Sequence, residues 1–417
     1  MIWFLYNTLL TLLSPFWLPY VWLKAKRRKE QPNWNERMGD SEIPIDKTKR
    51  RIWFHTVSVG EFFAAKPILR ELRRIMPEHE IVLSVTTSSG HQTARDSNEG
   101  LYDHLIYFPL DIARFQLAAM QRVKPEVVAV METELWLNFL WAAKTFRAKT
   151  LLINGRISNR SYPRSQKIRF YYRTLFKDLD WALMQTEVDA ERIRDLGASN
   201  VRVLGNCKFD QADESASVDP AFWRSELKLD PAKLTIVVGS TRSEMEEALV
   251  IEAIQRVDLD KVQVVHAPRH LERVEALSSS VKAAFGSVAL RSKGETGPYL
   301  ILDTYGELAS VYSAADIVII GGGFDNLGGQ NIIQPLALGK PVIHGPHMQN
   351  FQEVADQAWE VRATREADNA AQLEFEINSL RHPGLRRLAG EAGRKLIADN
   401  LGASARYAKA IKDSLSN

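Results

Sequence analysis

From Arg51 onward the chain keeps repeating one pattern: a short apolar run, a turn of small or polar residues, then an amphipathic helical stretch. The strand candidates of the first half are Ile52–Val57, Ile81–Thr86, His104–Phe108, Val127–Met131, Thr150–Ile153, Trp181–Gln185 and Val201–Leu204. Stretches such as Phe62–Met76 and Thr186–Leu196 supply the helices between them. Strands alternating with helices of this size form right-handed βαβ units, and these give a parallel sheet covered on both faces. A polar, acidic segment, Ala212–Pro231, reads as a connection between domains, and the pattern then restarts. Thr235–Val238, Val262–His266, Val288–Leu290, Tyr299–Leu302, Ile317–Ile320 and Pro341–His344 are the second set of strands. Helices are expected over Glu244–Gln255, Gly306–Ala314, Asn331–Leu338 and Phe351–Trp359. The expected fold class is therefore α/β, with two Rossmann-like domains of similar size facing a cleft. The boundaries read as 1–30 for an N-terminal flank, 31–215 and 216–385 for the two domains, and 386–417 for helices that pack back on the first.

The N-terminus departs from this pattern. Ile2 to Leu23 carries no charge in 22 positions, 16 of them apolar or aromatic. A helix of that length reaches roughly 33 Å, enough for a ~30 Å hydrocarbon core. Pro15 and Pro19 interrupt it, aromatic residues of interfacial type punctuate it, and Lys24, Lys26, Arg27, Arg28 and Lys29 follow at once. A cleavable signal would carry its charge before the apolar run, so a retained anchor is expected. Spanning and interfacial geometries are both open, and either puts the body on the cytoplasmic side. Over the whole chain 54 Lys and Arg balance 51 Asp and Glu, which argues against a dedicated nucleic-acid binder. A single cysteine, Cys207, excludes an internal disulfide framework and a Cys-rich zinc site.

Ligands of open parallel sheets bind beyond the carboxyl ends of the strands, so the polar turns there carry the argument. Ser58-Val59-Gly60-Glu61 places a carboxylate at a helix start. Such a residue either complements the helix dipole or serves as a general base. Glu132-Thr133-Glu134 follows the next central strand, where one carboxylate can cap a helix and the other can pair with an arginine. Between Gly155 and Lys177 lie Arg156, Arg160, Arg164, Lys167, Arg169, Arg173 and Lys177, interleaved with aromatic residues and free of acids. That run is either a solvated face or a surface for a phosphorylated amphiphile. In the second half Gly239-Ser240-Thr241-Arg242 reads as an anion-ready turn at a helix N-terminus. Pro268-Arg269-His270, Gly321-Gly322-Gly323 and Gly328-Gly329-Gln330-Asn331 mark further turns at the same edge. No P-loop occurs, and no dinucleotide fingerprint follows the first strand of a domain.

In order along the chain, HTVSVGE (55–61), METELW (131–136), INGRIS (153–158), GNCKFD (205–210), GST (239–241), APRHLERV (267–274), DTYGEL (303–308) and GGQNIIQPLALGKPVIHGPHMQNF (328–351) resemble the 3-deoxy-D-manno-octulosonic acid (Kdo) transferases. These are membrane-associated glycosyltransferases of the GT-B fold. The resemblance implies transfer of Kdo from CMP-Kdo to a hydroxyl of a lipid A precursor, with inversion, at the cytoplasmic face of the inner membrane. It places Glu61 as general base. Ser240, Thr241, Arg269, Gly306, Glu307, Asn331 and Gln334 fall on the donor side; Glu132, Arg156, Arg160 and Arg164 fall on the acceptor side. It implies neither a cofactor nor a metal. The chain departs from the family's GGHNPLE, having Gln330 and Gln334 where histidine and glutamate are usual, and Arg242 stands where histidine is common. A sugar-nucleotide epimerase and a non-catalytic membrane scaffold are the competing readings.

Overall fold

The computed structural model describes all residues except 1, 28–32, 47, 160, 216–217, 258–259 and 417. These residues form two parallel sheets of seven strands each. The first contains β1 (Arg50–Thr56), β2 (His79–Val85), β3 (His104–Tyr107), β4 (Val127–Met131), β5 (Lys149–Gly155), β6 (Trp181–Met184) and β7 (Val201–Val203). The second contains β8 (Leu234–Thr241), β9 (Val262–Pro268), β10 (Ala289–Leu290), β11 (Tyr299–Ile301), β12 (Ile317–Ile320), β13 (Val342–His344) and β14 (Thr364–Glu366). Their orders are β3-β2-β1-β4-β5-β6-β7 and β10-β11-β9-β8-β12-β13-β14. In each sheet the order reverses beside its first strand, between β1 and β4 and between β8 and β12. Helices leave in opposite directions at such a point and open a crevice at the carboxyl edge.

β1 shows why the central strands read as unbroken apolar runs. Ile52 and Phe54 enter a core with Phe62, Leu69 and, from the far end of the chain, Tyr407 and Ile411. Trp53, between them in sequence, points to the other face and packs with Val82, Val128 and Phe139. Both faces are covered, so both parities must be apolar. The second core repeats this with Ile236, Val238, Ile251, Val264 and Ile319.

The chain divides into two compact units, Met1–Asp210 with Gly402–Asn417, and Gln211–Leu401. Gly402, at φ +83°, breaks the C-terminal helical stretch into Pro383–Asn400, in the second unit, and Ala403–Ser414, in the first. Asp210 holds the start of the last helix by accepting from the Gly402 and Ser404 amides, both at 2.6 Å. The Tyr407 hydroxyl donates to the Gly205 carbonyl at 2.8 Å.

The N-terminal helix, Ile2–Arg27, docks by its first two turns. Trp3 packs on Trp141 with ring centroids 4.7 Å apart, and Tyr6 donates to Asp111 at 2.8 Å. Asn7 and Asn138 exchange side-chain hydrogen bonds at 2.9 Å. Beyond this, Leu9, Leu12, Leu13, Phe16, Tyr20 and Leu23 are exposed. Pro15 removes the amide that would bond the Thr11 carbonyl, and the Ser14 hydroxyl takes its place at 2.7 Å. No described helix is long and apolar enough to cross a membrane. Asn7, Thr8, Thr11, Ser14 and the two prolines dilute the apolar run.

The second sheet is closely packed at its edge. A Cβ built on Gly239 would lie 2.0 Å from the hydroxyl of Tyr312, itself buried. Gly239→Ala is expected to destabilise the second unit by about 1–3 kcal/mol through overpacking. Tyr312→Phe, which removes the clashing oxygen, should recover part of that loss in a thermal-melt double-mutant cycle. Additive effects would show that the two residues do not meet.

Candidate active site

At the carboxyl end of β1 the chain turns into the helix Val59–Ile75, whose N-cap is Ser58. The Ser58 hydroxyl accepts from the Glu61 amide at 3.4 Å, and Glu61 Oε2 accepts from the Val57 amide at 2.8 Å. This is a reciprocal cap of the S-x-x-E kind, displaced by one residue. It fixes the carboxylate at the crevice while leaving Oε1 only a long contact, 3.5 Å, with the Ser58 hydroxyl. One oxygen thus serves the cap, and the other has no closer contact among the described residues.

Across the reversal point, Glu132 follows β4 with a left-handed backbone, φ +53°. It is buried, and its two oxygens meet Arg156 Nε and Lys208 Nζ, each at 3.2 Å. Lys208 is presented by a turn in which the Cys207 amide donates to Asn154 at 3.1 Å and the Lys208 amide to Asn206 at 3.0 Å. The ends of β1, β4, β5 and β7 are thereby brought to one charged cluster. Burial and the Glu132 carboxylate push the Glu61 carboxyl up to about 8, with Glu134 adding to the rise. The Val57 amide and the Lys208 ammonium oppose it. Burial also raises the Glu134 carboxyl. Of the two carboxylates in the turn after β4, Glu132 is the one that pairs with an arginine; Lys208 has no role in the sequence reading, because its contribution comes from strand order, which spacing does not reveal. His55, in the first motif, is buried with its ring 3.9 Å from that of Phe108, and so belongs to the core.

The basic run divides. Arg156 belongs to the Glu132 cluster, Arg164 is exposed on the helix Tyr162–Lys167, and Arg160 lies outside the described residues. Asp195, remote in sequence, pairs with Arg169 at 3.1 Å and accepts from Tyr162 at 2.9 Å. Tyr171 and Tyr172 pack inward with Trp3 and Tyr6, which corrects the expectation that the aromatics of this run face an amphiphile together. Phe170 and Ile168 remain exposed.

In the second unit the turn after β8 repeats the same cap. Thr56-Val57-Ser58-Val59-Gly60-Glu61 and Thr241-Arg242-Ser243-Glu244-Met245-Glu246 share T-x-S-x-x-E. Glu246 is buried, and Oε2 accepts from the Arg242 amide at 2.9 Å. Oε1 accepts from the amides of Phe324 at 3.0 Å and Asp325 at 3.4 Å. Both oxygens are committed, and they tie the β8 turn to the loop after β12. The expectation of an anion-ready helix N-terminus at 239–242 is corrected accordingly. Glu244, Glu246 and Glu247 fill the first turn of Glu244–Gln255 with negative charge. The Thr241 hydroxyl is also occupied, lying 2.9 Å from His266 Nε2 in a buried chain that continues to Tyr299.

Ser240, half-buried at φ +62°, and Arg269, exposed, remain at this edge, joined through the Arg269 amide, which donates to the Thr241 carbonyl at 2.8 Å. Gly306, at φ +83°, and Glu307 form a turn whose carboxylate is held by Thr304 and by Arg291, the latter at 3.2 Å. The Asn331 side chain caps the next helix, accepting from the Ile333 amide at 2.8 Å and donating to Gln211 at 3.3 Å. Gln334 is half-buried on that helix, and the Arg242 guanidinium donates to the Leu327 carbonyl at 3.1 Å. Among the described residues, no three His, Cys, Asp or Glu side chains are grouped as metal ligands.

Glu246→Gln puts an amide where one acceptor oxygen stood, leaving a buried backbone N–H facing a donor, at a cost of about 1–3 kcal/mol. Amide hydrogen exchange at Arg242, Phe324 or Asp325 is expected to accelerate. Unchanged exchange at all three would show that Glu246 does not hold the loop.

The model of the 3-deoxy-D-manno-octulosonic-acid transferase (kdotransferase) family matches residues 32–211. A 3-deoxy-D-manno-octulosonic acid transferase of Bordetella pertussis is 33% identical over 385 residues, covering 87% of each chain. One from Chlamydia muridarum is 30% identical over 330 residues, covering 78% of this chain and 76% of that one. Among solved structures, Acinetobacter baumannii MurG shares the fold, with a TM-score of 0.58 at 13% identity, over 88% of this chain and 99% of that one. With these relatives, the chain belongs to the family of 3-deoxy-D-manno-octulosonic acid transferases, and is a glycosyltransferase.

Proposed function

We propose that this protein transfers Kdo from CMP-Kdo to a hydroxyl of a lipid A precursor, with Glu61 as the general base of a GT-B-type reaction. The observation that carries the reading is the half-capped Glu61 carboxylate beside Glu132. A base with a pKa near neutrality accepts a hydroxyl proton most effectively at working pH. In the step, the acceptor hydroxyl gives its proton to Glu61 Oε1. Its oxygen forms a bond to the anomeric carbon of Kdo as the bond from that carbon to the CMP phosphate oxygen breaks. CMP departs with the electron pair, and the anomeric configuration inverts.

The residues of the second sheet's carboxyl edge suit the donor. Arg269 offers a guanidinium to the single phosphate or the sugar carboxylate, and Ser240 a hydroxyl. Gly306 and Glu307 offer backbone groups, and Gln334 and Asn331 amides for the ribose. On the acceptor side Glu132 acts through Arg156 and Lys208 rather than by touching the reacting atoms, and the exposed Arg164 offers a guanidinium to an acceptor phosphate. Association with the cytoplasmic face of the inner membrane is supported by the exposed apolar side chains of Ile2–Arg27, from Leu9 to Leu23. An interfacial helix of this kind binds by burying such side chains at the headgroup boundary.

Incubation with CMP-Kdo and a tetraacylated lipid A precursor, followed by mass spectrometry, tests the reaction; an unmodified acceptor would contradict it. Glu61→Gln is expected to lower kcat by at least about 10²-fold with CMP affinity nearly unchanged, because a base acts on the chemical step. Near-normal turnover would remove Glu61 from that role. Deleting residues 1–23 should shift the protein out of the membrane fraction while CMP binding persists. Full retention in the membrane would assign the anchoring to another surface.

A further inference from the structure

The outer end of the second sheet holds a separate feature. The last residues of β13 and β14, His344 and Glu366, stand opposite each other in parallel register. Beside them lies a cavity of about 310 Å³, whose lining includes His344, Met348, Ala355, Asp356, Trp359 and Glu366. His344 is only 2% exposed. Its Nδ1 lies 2.8 Å from the Gly345 carbonyl and so carries the ring proton toward that oxygen. Nε2 is left as a buried lone pair with no hydrogen-bond partner among the described residues. A buried acceptor of this kind costs free energy until a donor reaches it.

The rest of the lining states which donor. Asp356 and Glu366 are acceptors, and among the described residues no lysine or arginine lines the cavity to neutralise them. The Gln352 amide satisfies one Asp356 oxygen at 2.8 Å and leaves the other available. Met348 and Ala355 give an apolar wall, and the Trp359 ring is 55% exposed at the rim. We propose that this cavity is a binding site for a protonated primary amine on a short apolar stem. One N–H of the ammonium donates to His344 Nε2, the charge is met by Glu366 and Asp356, and the stem lies along Met348 and Trp359. An aromatic rim favours such a cation. Two observations separate the site from simple surface acidity: the unpartnered nitrogen, and a lining with acceptors and no cation. Met348 also touches the donor-side loop, since a Cβ on Gly329 would lie 2.4 Å from its sulfur. A bound amine therefore bears on the loop that precedes Asn331 and Gln334.

The test is calorimetry of the full-length protein with 1,4-diaminobutane and, in parallel, its fully N-methylated bis-quaternary counterpart. The two carry the same charge, but only the first has N–H donors. One-to-one binding of the diamine is expected, at least about tenfold tighter than the quaternary compound. The variant Asp356→Asn with Glu366→Gln, at two exposed positions, should weaken the diamine by about tenfold or more. His344→Asn, which keeps a donor for Gly345 and removes Nε2, should erase the preference for the primary amine. Absence of diamine binding, equal affinity for both compounds, or wild-type affinity in the carboxamide variant would each overturn the proposal. The carboxamide variant decides the matter if His344→Asn does not fold.

Discussion

The hydrogen bond from the Val57 amide to Glu61 Oε2 joins the central strand of the first sheet to its helix and sets the position of the carboxylate proposed as the base. A parallel strand must hand the chain to a helix at its carboxyl end, and the first amides of that helix need acceptors. Here Ser58 accepts from the Glu61 amide, and Glu61 reaches back to the Val57 amide ahead of the helix, which fixes that side chain at the point where strand order reverses. Everything that perturbs Glu61 then follows from topology. β4 is the neighbour of β1, so Glu132 is delivered beside it. Lys208 and Arg156 arrive from the ends of β7 and β5 and hold Glu132, and the Lys208 ammonium opposes the rise at Glu61.

The second unit shows what the same cap does with a different number of donors. Glu246 occupies the position of Glu61, but three backbone amides fill its two oxygens. It can anchor the loop after β12 and cannot take a proton from a substrate without breaking that anchor. Glu61 has one backbone amide, which leaves an oxygen available, and burial followed by the Glu132 carboxylate favours its protonated form near neutral pH. Under the function proposed above, one local motif serves as a structural tie in one sheet and as a base in the other. Fold and chemistry share a residue type without sharing a role.

Much of the architecture was readable because both faces of these sheets are buried. Central strands such as Ile52–Val57 and Ile317–Ile320 then stand out as apolar runs. β14 escaped the sequence reading for the converse reason. Its residues, Thr364, Arg365 and Glu366, form an edge paired on one side only, where polar side chains are tolerated. The T-x-S-x-x-E repeat escaped the sequence reading, because its halves differ at three of six positions and only the shared cap geometry makes them comparable. Glu61 could be found from its turn. The partnership of Glu132 with Lys208 could not, because strand order sets it and the residues are far apart along the chain. The second sheet's turn misled for a related reason: small residues before a helix suggest a vacant anion site, but Glu246 had already filled it.

The account stands or falls on the ionisation of Glu61. Measuring kcat/KM against pH at saturating donor tests it directly. The base must be deprotonated, so the rate should rise about tenfold per unit at acid pH and level off near 8. Glu132→Gln removes the negative neighbour and releases Lys208 to face Glu61, so the limb should move to lower pH. A profile flat from about pH 5 to 9, or a limb that ignores Glu132, would contradict the account.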